Sequence, residues 1–239
     1  LKRVVSSADR VDPSRYPFKI PAFASGIDLA IESNVTFFVG ENGSGKSTLL
    51  EAIAENSGFN VEGGGRDHHF GEHKDRSDLA SVLRLAWSLN VTDGFFMRAE
   101  SFYNFASYLE QSGSTFARYG GTSLHDQSHG ESFLALFANR FDRGMYILDE
   151  PEAALSPQRQ LSFLSIIHQL ETVGRAQFLI STHSPIILAY PGAVIFSLDG
   201  NAIQKIDYKN TEHYRLTKQF LDSPERYFKH LFSDESDKD

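Results

Sequence analysis

Apolar and polar residues change their period several times along the chain. Ile27 to Ile31 alternates apolar and polar positions, and Val35 to Val39 is almost wholly apolar. Both patterns predict strands, joined by the turn Glu32-Ser33-Asn34. From Lys46 to Glu55 the period lengthens, and Leu49, Leu50 and Ile53 share one side of a predicted helix. Leu79, Val82, Leu83, Ala86 and Leu89 keep helical spacing and predict a further helix. Phe95 to Met97 predicts a short strand, and Phe102, Phe105 and Leu109 a helix after it. A helix is expected from about Glu131 to Arg140, and Met145 to Leu148 reads as a buried strand. Ser156-Pro157 starts the next helix, because serine caps it and proline suits its first turn. Gln177 to Ile180 and Val194 to Leu198 predict strands. Asp199-Gly200-Asn201 predicts a hairpin turn into Ala202 to Asp207. Helices near Glu212 to Leu221 and Pro224 to Phe232 follow, and the acidic stretch 233–239 reads as a frayed tail.

Alternating strands and helices define the fold class as α/β. The Gly-rich, charged stretch Gly58 to Ser77 reads as a mobile loop, and Gly120-Gly121-Thr122 marks another. A chain of 239 residues suits one large domain. The formal net charge of −8 excludes a histone-like nucleic-acid binder but leaves room for a local basic patch. The sequence has no cysteine, which removes disulfides, thiolate nucleophiles and zinc–thiolate sites together. Its most apolar runs, such as Val35 to Val39 and Ile186 to Tyr190, fall far short of the ~20 residues of a membrane span. The expectation is a cytoplasmic protein without direct membrane insertion.

Four segments carry candidate chemistry. Gly40-Glu41-Asn42-Gly43-Ser44-Gly45-Lys46-Ser47 fits the phosphate-loop pattern and lies between an apolar strand and a helix, as that pattern requires. Its glycines let backbone N–H groups wrap a polyphosphate, and the helix N-terminus faces the anion. Lys46 would contact the β- and γ-phosphates of ATP, and Ser47 would ligate Mg²⁺. Thr48 completes the ATP-binding segment. The buried strand Met145 to Leu148 runs into Asp149 and Glu150, where Asp149 would hold Mg²⁺ and Glu150 would polarise the attacking water. Ser128-His129-Gly130-Glu131-Ser132 opens a helix. From the residues alone it is either a second anion site at a helix N-terminus or a capping box of Ser128 with Glu131. Thr182-His183-Ser184-Pro185 follows a strand, and His183 is placed either to reach a γ-phosphate or to serve the structure.

In this order, the four segments resemble the ATP-binding cassette ATPases over about residues 27–200. The resemblance makes Gly40 to Ser47 the Walker A motif, Met145 to Glu150 the Walker B motif and His183 the switch histidine. Ser128 and Gly130 then belong to the signature and contact ATP. Asp149 to Ser156 and Ser181 to Pro185 look more like the SMC- and RecF-like branch, and the whole chain resembles small standalone bacterial AAA-family ATPases. His129 stands where the signature usually has glycine, Glu131 where it has glutamine, and Ser156 where the following loop commonly has aspartate. Arg98 or Glu100 occupies the place of the Q-loop glutamine. The family fold implied is a single P-loop NTPase domain over 1–239. It has a mainly parallel core sheet, antiparallel β strands and a small helical subdomain at about 77–140.

The resemblance implies an enzyme, an Mg²⁺-dependent ATPase, working as a homodimer with head-to-tail shared sites. It would drive an unknown protein partner or a DNA-linked process. Two alternatives remain: the ATP-binding subunit of a transporter, and an ATP-gated switch with slow hydrolysis. Tyr16, Phe18 and Phe23 are the aromatics available to stack on adenine. His68, His69 and His73, with Asp67 and Asp75, form a further cluster that reads either as a metal site or as a solvated loop.

Overall fold

The computed structural model describes residues 1–6, 12, 14–66, 77–88, 93–99, 102, 129–140, 143–173 and 176–232, with backbone alone at 129 and 140. The strands are β1 (Arg3–Ser6), β2 (Asp28–Ala30), β3 (Val35–Val39), β4 (Leu83–Ala86), β5 (Gly94–Arg98), β6 (Gly144–Asp149), β7 (Ala176–Ser181), β8 (Val194–Ser197) and β9 (Gln204–Lys205). The α-helices are α1 (Pro21–Ala24), α2 (Lys46–Asn56), α3 (Asp78–Val82), α4 (His129–Arg140), α5 (Pro157–Thr172), α6 (Pro185–Leu188), α7 (Glu212–Asp222) and α8 (Pro224–Leu231).

Six strands form one sheet in the order β5-β6-β7-β3-β8-β9, parallel from β5 to β8, with β9 antiparallel at the edge. A smaller antiparallel sheet runs β2-β1-β4. β3 and β6 are buried at every position, as strands covered on both faces must be. Strand alternation divides their side chains between two cores. Phe37, Tyr146, Leu148, Phe178 and Ile180 face Phe133 and Phe137 of α4 and Phe163 of α5. The Phe133 and Phe137 rings stack at 4.8 Å, and Phe163 meets Phe137 edge-on at 5.1 Å. On the opposite face, Phe38, Phe96, Ile147 and Leu179 pack against Leu49, Leu50 and Ile53 of α2. The mixed α/β architecture expected from the sequence is the one observed.

The predicted helix through Leu79 to Leu89 is corrected. α3 stops at Val82, and Leu83 turns to ψ 143°. Residues Leu83–Ala86 then pair antiparallel with β1, Val4 opposite Leu85 and Ser6 opposite Leu83. The same apolar spacing serves a short helix followed by a strand, and pairing with β1 satisfies backbone groups that a helix would have satisfied internally. Leu89 lies outside the described residues, as do Phe105, Leu109 and the loop at Gly120-Gly121-Thr122. The interval 77–140, expected to be a small helical subdomain, therefore contributes β4 and β5 to the two sheets, and α3 and α4 are its described helices.

The Gly-rich stretch after α2 is also more ordered than expected in its first part. Gly64 bridges Phe96 on the edge of β5, its N–H donating to Phe96 O at 2.7 Å and its carbonyl accepting Phe96 N–H at 3.0 Å. Arg66 Nε donates to Ser57 O at 3.0 Å. Residues 67–76, with the His68, His69 and His73 cluster, lie outside the described residues. Among the described residues, no helix is long and apolar enough to cross a membrane.

Candidate functional site

β3 delivers the chain to Gly40 at the C-terminal end of the parallel strands, where open α/β sheets form their ligand crevices. The loop turns through Gly43 at φ 84° and Gly45 at φ 101°, and α2 begins at Lys46. These dihedrals are costly for any residue with a Cβ. At Gly45 a Cβ would also stand 2.7 Å from Phe23 Cζ. Asp199, just past the neighbouring β8, accepts the Glu41 N–H on Oδ1 at 2.7 Å. Lys46 is buried, and its Nζ donates to Gly40 O at 2.7 Å and to Glu41 O at 3.2 Å. Burial holds its pKa below the ordinary lysine value, opposed by the charges of Glu150 and Asp149. A cation held by two carbonyls of its own loop, at the positive end of α2, suits a polyphosphate.

Of the three aromatics upstream, Phe18 and Phe23 belong to the core, whereas Tyr16 is 66% exposed. The Tyr16 hydroxyl shares a hydrogen bond with Thr48 Oγ1 at 2.9 Å, which sets its ring beside the start of α2.

β6 lies between β5 and β7, with Asp149 in register with Arg98 on one side and Ser181 on the other. Ser181 Oγ donates to Asp149 Oδ1. Arg98 Nε lies 3.3 Å from Asp149 Oδ2, and the same guanidinium pairs with Glu51 of α2. Glu150 has φ 51° and ψ 53°, the left-handed region, and is the non-glycine with positive φ among the described residues. Such a conformation costs on the order of 1–3 kcal/mol and persists where the surroundings impose it. Here the Glu150 N–H donates to Ser181 O at 3.1 Å, and Pro151 opens a 3₁₀ turn, Pro151–Ala154, immediately after. Ser47, Arg98, Ala99, Asp149, Glu150 and Ala153 line a cavity of about 190 Å³.

His183 stands beside Glu150. Its Nε2 lies 3.3 Å from Glu150 Oε1, and its Nδ1 lies 2.6 Å from Nε2 of His213 on α7. Its backbone N–H donates to Glu152 Oε1 at 2.5 Å, and Thr182 Oγ1 donates to Glu152 Oε2 at 2.8 Å. Burial raises the Glu152 pKa above the ordinary carboxylate value against the pull of these bonds. Ser184 then caps α6, accepting from the N–H groups of Ile186 and Ile187.

Lys46, Ser47, Asp149, Glu150 and His183 thus converge at one end of the sheet. Ser128 lies outside the described residues, and so does Glu100. Gly130 is buried where a Cβ would meet Arg159 Nη1 at 2.7 Å and Ala154 O at 2.8 Å, so α4 packs tightly on the turn after Glu150. Glu131 is ion-paired with Arg159 at 3.0 Å. Sequence reading placed Asp199 in a hairpin turn and did not single out Ser181, Glu152 or His213 for a role. Ser181 was detectable in principle, as a small polar residue ending a strand; His213, on a helix remote in sequence, carried no such signal.

Fold and site together define a P-loop domain with the mixed α/β fold of an SMC head domain. A family model described as "AAA domain, putative AbiEii toxin, Type IV TA system" matches residues 67–189, just over half of the chain, and a second AAA-domain model matches residues 20–69. The chain belongs to the AAA-domain family whose model matches residues 67–189. The ribose import ATP-binding protein RbsA 3 of Rubrobacter xylanophilus is 26% identical over 216 residues, covering 81% of this chain and 43% of that protein. RbsA 2 of Burkholderia ambifaria is 25% identical over 214 residues, covering 80% of this chain and 42% of that protein. The chain therefore spans less than half the length of these curated relatives. Among solved structures, the SMC head domain from Thermotoga maritima aligns with a TM-score of 0.52 at 15% identity, covering 87% of this chain and 99% of that one.

Proposed function

We propose that the protein hydrolyses ATP to ADP and phosphate at two sites shared across a head-to-tail homodimer, and that this drives a protein partner or a DNA-linked process in the cytoplasm. The observation that carries this is the convergence around one cavity of Ser47, Asp149 and Glu150, with Lys46 and His183 beside it. Residues Gly40 to Thr48 bind the polyphosphate: Glu41, Asn42, Gly43, Ser44 and Gly45 wrap it, and Lys46 neutralises the β- and γ-oxygens. The cavity presents hydroxyl and carboxylate oxygens, the donor set that Mg²⁺ prefers, so Ser47 and Asp149 would hold that ion. When bound, Mg²⁺ supplies charge neutralisation at the phosphate oxygens. Glu150 takes the proton of the attacking water, and its strained backbone aims the carboxylate into the cavity. His183 donates a hydrogen bond to the γ-phosphate. Ser128 and the α4 N-terminus, with Gly130, act on the ATP bound by the other copy.

A second reading, the ATP-binding subunit of a transporter, is favoured by the two ribose import relatives. Arg98, paired to Asp149 and Glu51 at the end of β5, stands near the place where such subunits carry a coupling glutamine.

The shared site is tested by mixing Lys46→Ala with Ser128→Arg, each nearly inactive alone. A mixed dimer keeps one complete site, so mixing restores up to about half of normal turnover per heterodimer if sites fire independently. Full turnover by either variant as a strict monomer sinks the shared site. Stimulation by added DNA separates the DNA-linked process from the transporter subunit.

A further inference from the structure

We propose that His213 is a positioning residue for His183, fixing it as the tautomer whose Nε2–H faces Glu150 and the phosphate end of the site. This rests on the nucleotide site proposed above and adds a residue from outside its four motifs. The two imidazoles stand 2.6 Å apart, His183 Nδ1 to His213 Nε2, with ring centroids at 4.7 Å and planes inclined by 62°. A contact that short holds one proton, with one nitrogen donating and the other accepting.

Three features select the direction. If His183 Nδ1 donated, the neutral ring would turn an Nε2 lone pair toward Glu150 Oε1 at 3.3 Å, setting it against a carboxylate. If His213 Nε2 donates, His183 Nε2 carries the hydrogen and meets that carboxylate favourably. Second, His213 Nδ1 is shielded from solvent and, among the described residues, has no hydrogen-bond partner. A neutral His213 protonated on Nε2 leaves only a lone pair there, whereas any other protonation state buries an unsatisfied N–H donor. Third, burial above all favours the neutral form of His213. Burial lowers its pKa first, His183 and Lys46 lower it further, and Asp199 and Glu41 oppose them. Among the described residues His183 Nε2 makes no aligned hydrogen bond, which leaves its N–H to be offered to a phosphate oxygen.

The fold holds His213 in this place. Buried Thr211 caps α7, accepting the Tyr214 N–H at 3.4 Å and donating to Tyr208 O at 2.7 Å. Tyr208 donates its hydroxyl to Pro185 O at 2.9 Å, tying the start of α7 to the first residue of α6, two positions after His183. The tautomer of a histidine is set by the bond its other nitrogen makes, and here α7 supplies that bond.

The experiment records ¹⁵N imidazole spectra of the full chain, with the His183 signal assigned by its loss in His183→Asn. The unmutated protein should show His183 protonated on Nε2. In His213→Leu the signal should move toward a mixture of tautomers, and kcat should fall by about tenfold or more while KM changes by no more than about twofold. His213→Gln places an amide N–H where Nε2 stood, and should restore both the spectrum and kcat to within about threefold. A His183 protonated on Nδ1 in the unmutated protein overturns the proposal, even if His213→Leu fails to fold. So does an unchanged spectrum in His213→Leu, or equal losses of kcat in the Gln and Leu variants. The spectra need no turnover, so a lack of ATP hydrolysis by the unmutated protein would overturn the proposed function and leave the tautomer measurement standing.

Discussion

The backbone N–H of His183 donates to the carboxylate of Glu152 at 2.5 Å, across 31 residues of sequence. Thr182 donates to the other oxygen of the same carboxylate at 2.8 Å. The turn that follows Glu150 is thereby fastened to the loop that carries His183. The distance between Glu150 and His183 is consequently set by backbone and by a half-buried carboxylate, in addition to their own side chains.

This clasp predicts a pH dependence of stability. Burial raises the folded-state pKa of Glu152 above its ordinary value of 4.5. A group raised in this way contributes stability that is fully present below its unfolded pKa and lost as pH rises through its folded pKa. Glu152→Gln cannot titrate. The stability of the unmutated protein relative to Glu152→Gln should therefore decline as pH rises from about 4 through the folded pKa, measured by urea unfolding at each pH. A difference that grows with pH would contradict this.

Mg·ATP should stabilise the fold through the phosphate loop. A ligand at 100 times its Kd adds about 2.7 kcal/mol. Lys46→Ala should abolish the gain, since in the proposed function the ammonium now resting on Gly40 O and Glu41 O would be the charge offered to the phosphates. An unchanged melting temperature of the unmutated protein at saturating Mg·ATP would remove the site.

Glu150→Gln should slow hydrolysis by about 10²–10⁴-fold, the usual worth of general-base catalysis, and leave ATP binding intact. The expectation comes from its place on the cavity wall beside Asp149 and 3.3 Å from His183. Turnover near normal, measured as phosphate release, would mean that another group positions the water.

Two glycines of the loop separate backbone strain from steric exclusion. Gly43→Ala meets open space at φ 84°, so it should cost about 1–2 kcal/mol from the left-handed backbone alone. Gly45→Ala adds a contact of 2.7 Å with the buried Phe23 ring at φ 101°. It should cost about 2–4 kcal/mol, since overpacking a core adds to the strain. Urea titrations of both variants check the order, and equal losses would show that the Phe23 ring yields freely.

Local signals in the sequence were enough to locate the phosphate loop, the acidic strand end and the histidine loop. Each is a short contiguous run at a strand end: Gly40 to Ser47 after β3, Asp149-Glu150 at the end of β6, and Thr182 to Pro185 after β7. Continuous apolar runs marked the buried strands β3 and β6 because helices cover both faces of the sheet. What the chain does at Leu83 was decided by tertiary structure, because apolar spacing at i, i+3 and i+4 does not register that β1 offers a free edge. The same holds for the partners of the site. Asp199 reaches Glu41 because β8 lies beside β3, Ser181 and Arg98 flank Asp149 because β7 and β5 flank β6, and His213 meets His183 because α7 docks beside α6. Side chains that converge from separate strands and helices share no periodicity in sequence. Only the pairing order of the sheet and the packing of α7 bring them within hydrogen-bonding distance.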